Sequence, residues 1–173
     1  MSLPKTWTDG VDSECSFSPD RRYRFWLIRS FRGIGCGRRR ACIGLNPSTA
    51  DETKDDRTVR RLAEWAYRDG FDEFQMLNLF AYRATNPADM IAHPDPIGWR
   101  TDMAIVAAKW RAEQIVLCWG NHGSHLGRSA QVLEMLRPYA SKLYCFGVTK
   151  SGEPRHPVRM AKNTPLVKWE YPT

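Results

Sequence analysis

The feature that most constrains the fold is a repeated unit: an apolar run of strand length, a compact polar cluster, then a stretch with helical spacing. Three clusters stand out: Cys42-Ile43-Gly44-Leu45-Asn46-Pro47-Ser48-Thr49, Met76-Leu77-Asn78-Leu79 and Ile115-Val116-Leu117-Cys118-Trp119-Gly120-Asn121-His122. Short continuous apolar runs read as strands buried on both faces, the habit of parallel sheets. Ligands of open α/β sheets bind outside the carboxyl ends of the strands. Polar residues repeated at that edge therefore imply one shared pocket.

The alternation extends along the chain. Residues 23–31 and 40–45 read as strands separated by a glycine-rich turn at 33–37, and are expected to pair as an antiparallel hairpin at the sheet edge. Residues 56–68 place Val59, Leu62, Ala63 and Ala66 on one helical face, with Gly70 as the stop. Strands follow at 73–80, 114–119, 142–147 and 166–169, and helices at 87–91, 97–111 and 124–136. Right-handed crossovers between such elements predict an α/β fold of three layers, α/β/α. Its centre would be a mostly parallel four-stranded sheet, with the N-terminal hairpin at its edge. Residues 1–20 are polar and turn-rich and read as an irregular lead-in, leaving 21–173 as a single domain.

Lys and Arg number 26 against 19 acidic residues, a net charge of +7. That balance favours an acidic partner such as DNA or a nucleotide. Much of it is carried by Arg21, Arg22, Arg24, Arg29, Arg32 and Arg38 to Arg40, for which a solvated basic face is the alternative reading. No apolar run approaches the ~20 residues of a membrane span, and no basic segment followed by an apolar core opens the chain. A cytoplasmic location without a membrane partner is expected. Five cysteines without tight spacing argue against a disulfide framework.

Each cluster also carries chemistry. Gly44 allows close backbone approach and Pro47 fixes the turn after Asn46, whose amide can orient a water or merely close the turn. Asn78 lies among apolar residues, where an amide needs partners; it can read a nucleobase edge or fasten the strand end. Gly120, Asn121 and His122 feed a helix, whose N-terminal N–H groups suit a phosphate. His122 and His125 lack further ligands at metal spacing, so no metal is expected. In the polar loop 149–157, His156 is a candidate donor to a leaving group, or else a surface histidine of a basic loop. Lys150 and Arg155 are expected to favour its neutral form by like-charge repulsion.

In order and content these clusters resemble the motifs of uracil-DNA glycosylases. Gly44-Leu45-Asn46-Pro47 is similar to the G-x-N-P form of the water-positioning motif, and Leu77-Asn78 to the strand end that reads the flipped base. The stretch from Arg83-Ala84 to Gly98-Trp99-x-Thr101 resembles the segment that follows it. Leu117 to His122 is similar to L-x-W-G-[SN]-H, and His156-Pro157-Val158 to part of H-P-S. The chain also resembles a family of bacterial and phage proteins with the signature G-L-N-P-S-T-A-D. The first resemblance implies a monofunctional DNA glycosylase-like hydrolase that cleaves the N-glycosidic bond of a uracil-like, mismatched or modified pyrimidine, without metal or organic cofactor. It implies Asn46 and His156 as catalytic. Gly44, Leu45, Pro47, Ser48, Asn78 and Phe80 would contact the base, and Gly120, Asn121, His122, Lys150, Arg155 and Arg159 the phosphates. Three departures bear on this. Asn46 replaces the Asp of the most active branch, Ser48 replaces an aromatic that excludes 5-substituted pyrimidines, and Val158-Arg159 replaces a Ser and a DNA-inserting Leu. A non-catalytic nucleotide, modified-base or nucleic-acid binding module of the same fold, or an enzyme acting on free nucleotides, are the alternatives.

Overall fold

A computed structural model of the chain describes residues 11–171. Seven strands form one sheet: β1 (Asp12–Phe17), β2 (Arg24–Ser30), β3 (Arg39–Gly44), β4 (Glu73–Asn78), β5 (Gln114–Leu117), β6 (Leu143–Cys145) and β7 (Val167–Lys168). The spatial order is β1-β2-β4-β3-β5-β6-β7. β4, β3, β5 and β6 run parallel to one another, while β1 pairs antiparallel with β2, β2 with β4, and β6 with β7.

This corrects the expected central four-stranded sheet with a separate edge hairpin: the sheet is mixed and seven-stranded. β2 and β3 do not pair, because β4 lies between them. The physical reason sits at the first residue of β4. Glu73 is fully buried, and its carboxylate accepts from the backbone N–H of Gly35 in the turn and from Arg39 Nε of β3 at 2.6 Å. The turn that was expected to close a hairpin is thus tied to a third strand. The lead-in is corrected as well, since β1 occupies part of it; residues 1–10 lie outside the described residues. β1 is polar and half-buried, an edge strand without an apolar signature.

Alternating side chains send successive residues to opposite faces. Ala41, Ile43, Leu77, Ile115 and Leu117 meet Ile105 and Ala108 of α3 (Thr101–Arg111) and Val132 and Leu136 of α4 (Arg128–Leu136). Cys42, Phe74, Met76 and Val116 face the other way, onto Val59, Leu62, Ala63 and Ala66 of α1 (Arg57–Arg68). Each fully buried aliphatic contributes roughly 1.5–3 kcal/mol, so the two clusters clamp the sheet from both sides. The short helix α2 (Pro87–Ala92) adds Met90 to the first cluster. Among the described residues no helix is long and apolar enough to cross a membrane.

Candidate functional site

The ends of β3, β4 and β5 open into a cleft of about 890 Å³. Gly44 to Asn46 and Ser48 supply one wall, Asn78 the floor, and Trp119 to His122 another wall. The loop after β6 adds Arg155, His156 and Arg159, and the start of α1 adds Asp56 to Val59. Three expected residues stand outside. Phe80 is fully buried in the core, 5.6 Å from the His125 ring. Pro47 is buried and offers its carbonyl to the Ala84 N–H and the Asn46 amide, while Lys150 is solvent-exposed on its loop.

Asn46 is oriented by the backbone. Its Nδ2 donates to Ala84 O at 2.8 Å and to Pro47 O at 3.1 Å. Two carbonyl acceptors require the nitrogen there, so Oδ1 is left as the acceptor.

Asn78 is held differently. It is 3% exposed, and its Oδ1 accepts from Arg24 Nη2 at 3.3 Å. Arg24 in turn donates through Nη1 to Ala50 O at 3.1 Å. Arg24 is 1% exposed, and among the described residues its guanidinium forms no ion pair with a carboxylate. Burial pushes it down to about 10, and the charge of Asp56 opposes that fall, so it stays cationic at neutral pH. Two donors of the pair are buried with no partner: Arg24 Nε and Asn78 Nδ2. Gly44 is what admits the amide, since a Cβ there would meet Met76 Cε at 2.6 Å and Asn78 Nδ2 at 3.0 Å.

His156 reaches the cleft on an anchored loop. Trp119 Nε1 donates to Glu153 Oε2 at 2.5 Å and Ser129 Oγ to Glu153 Oε1 at 2.8 Å. The Gly120 N–H donates to Pro154 O at 2.8 Å, so the strand end and the loop are stitched together. The His156 Nδ1 accepts from the Val158 N–H at 3.3 Å, which places the proton of the neutral ring on Nε2. Burial holds the imidazole below its ordinary value of 6.5, with Asp56 opposing and Arg159 assisting. The expected cause is corrected: desolvation leads, and the like charge acting on the ring is Arg159 rather than Lys150 or Arg155.

The helix expected at 124–136 is corrected in its start, while Gly120, Asn121 and His122 do line the cleft. Residues Asn121–Gly127 form a kinked 3₁₀ segment, α4 begins only at Arg128, and Arg128 does not line the cleft. Asn121 instead uses its Oδ1 to accept from Ser151 Oγ at 2.8 Å. Sequence reasoning missed Arg24 and Asp56 as parts of the site. Arg24 had one signal, a lone cation inside an apolar strand. Asp56 reads locally as a helix cap, and it is one, accepting from Thr58 N at 3.0 Å and Val59 N at 2.9 Å. Among the described residues no group of three or more His, Cys, Asp or Glu is placed to hold a metal ion.

Sheet and cleft together define an α/β protein with a pocket at the carboxyl ends of its parallel strands, into which a few polar side chains are set. Residues 24–158 match the model of a family described as protein of unknown function (DUF1643), and the chain belongs to that family. The matched span runs from Arg24 past His156 and so takes in both ends of the cleft. No curated protein and no solved structure matches the chain.

Proposed function

We propose that the cleft holds a nucleobase and that the chain hydrolyses the N-glycosidic bond of a uracil-like, mismatched or modified pyrimidine in DNA, as the motif resemblance to uracil-DNA glycosylases implies. One observation carries the reading: the two atoms left open on Asn46 and His156 are complementary to that reaction. Asn46 Oδ1 is an acceptor that can orient a water, and His156 Nε2–H is a neutral donor for the leaving base. Cleavage passes through an oxocarbenium-like sugar while the base departs with negative charge. The base reaches the cleft only when flipped out of the stack or unpaired. The partner on this reading is DNA or a nucleotide, and the setting is the cytoplasm.

Asn46 has no carboxylate to take the water's proton, and this favours a second reading, a module that binds a base or nucleotide without cleaving it. The test is base release from oligonucleotides containing uracil, mismatched thymine or modified pyrimidines. Wild-type protein releases base, and Asn46→Ala and His156→Ala each lose roughly 100-fold or more in rate while still binding DNA. Salt-dependent binding with no product over long incubation would establish the second reading instead.

A further inference from the structure

We propose that the inner end of the cleft is an anion-recognition site in which Arg24 and Asn78 take the negatively charged, acceptor-only edge of a ligand. A buried charge is expensive unless it is paired, yet Arg24 is 1% exposed and among the described residues its side chain donates only to the Ala50 carbonyl and the Asn78 amide oxygen. Asp56, whose charge acts on Arg24, has one carboxylate oxygen committed to the start of α1. The atoms left without partners are both donors, Arg24 Nε and Asn78 Nδ2, and they belong to one hydrogen-bonded pair. Buried polar groups are normally satisfied, so a ligand completes this pair, and it does so with acceptors and negative charge.

The asymmetry sets specificity. An amide free at both ends reads a lactam, a carbonyl beside an N–H. With Oδ1 held by Arg24, Asn78 presents its donor, and Arg24 adds a second donor and a full charge. The site therefore selects an oxyanion or an ionised ring over a neutral lactam. The inference rests on the reading above for the identity of the ring: the departing base carries that negative charge, and Arg24 acts on it.

The test is equilibrium binding by calorimetry, which requires no bond cleavage and so fails or succeeds independently of base release. The probes are barbiturate, a pyrimidine ring that is an anion at neutral pH, uracil, its neutral counterpart, and inorganic phosphate. Wild-type protein binds barbiturate about tenfold more tightly than uracil, the worth of one charge-assisted hydrogen bond. Asn78→Asp is nearly isosteric and supplies Arg24 with a carboxylate from the chain itself. It keeps a thermal midpoint at or above that of wild type and loses the preference for barbiturate. Phosphate that displaces barbiturate identifies a phosphate group as a source of the anion, and phosphate that does not restricts the site to a planar edge. Equal binding of barbiturate and uracil without phosphate binding, or a preference that survives in Asn78→Asp, overturns the proposal.

Discussion

Glu153 commits both carboxylate oxygens to the scaffold, one to Trp119 Nε1 and one to Ser129 Oγ. Trp119 is 1% exposed, so its indole N–H has no access to water if that acceptor is removed. An unsatisfied buried donor costs roughly 1–3 kcal/mol. Glu153→Ala is therefore expected to lower stability by about 2 kcal/mol and to loosen the loop that carries His156. Glu153→Gln keeps an acceptor for the indole and a donor for the serine hydroxyl, and loses less. Urea unfolding followed by tryptophan fluorescence checks both; equal losses in the two variants would show that the charge, rather than the indole's partner, matters. Glu153 reads in the sequence as one more polar loop residue, because its role depends on a strand end 34 residues away.

At the scale of elements, the start of α1 does two jobs. Asp56 caps the helix, and its charge acts on both Arg24 and His156. Asn caps about as well as Asp, so Asp56→Asn separates the cap from the charge. Without that charge the His156 value falls further below 6.5, since Asp56 is what raises it. A folded-state value below the unfolded one means stability fully present above the unfolded value and lost as pH falls toward the folded one. In Asp56→Asn the acid loss extends to lower pH, and stability at neutral pH also falls because the buried Arg24 cation loses a favourable charge. An NMR titration of the His156 ring together with unfolding between pH 7 and about 5 reads both effects, and an unmoved His156 midpoint would contradict the assignment. How far the elements themselves were legible follows from the same distinction between local and distant. Apolar runs and helical spacing placed β3 to β6 and α1, because burial of a strand or a helix face is written into consecutive residues. Strand order was not legible: alternation says which face a residue takes, not which strand lies beside it. What places β4 between β2 and β3 is distant in the chain: the backbone ladders to both strands, and the buried Glu73 bound to Gly35 and Arg39. β1 carries too little apolar character to be seen before its partner is known.

For the whole molecule, the net charge of +7 overstates the free cationic surface. The N-terminal arginines that suggested a nucleic-acid face are largely structural. Arg29 meets Asp55 at 2.7 Å, Arg39 meets Glu73 at 2.6 Å and Arg40 meets Asp69 at 2.8 Å, with all three guanidinium side chains at 10% exposure or less. Arg21, Arg32 and Arg38 pair with Glu52, Asp72 and Glu113 nearer the surface, and Arg24 is buried beneath the cleft. Such pairs between strands and loops hold the sheet's edges and leave little charge to offer a phosphate backbone. The exposed cations that line the cleft are Arg57, Arg155 and Arg159. Each phosphate neutralised on duplex DNA adds about 0.9 to the slope of log K against log salt, so three contacts give a slope of about −3 at most. Fluorescence anisotropy with a labelled duplex across a salt series measures it. Arg155→Ala and Arg159→Ala should each make the slope shallower by about one, whereas Arg32→Ala should leave it unchanged. A steeper slope, or one that responds to Arg32 and not to the rim, would move the DNA path away from the carboxyl edge of the sheet and detach it from the cleft.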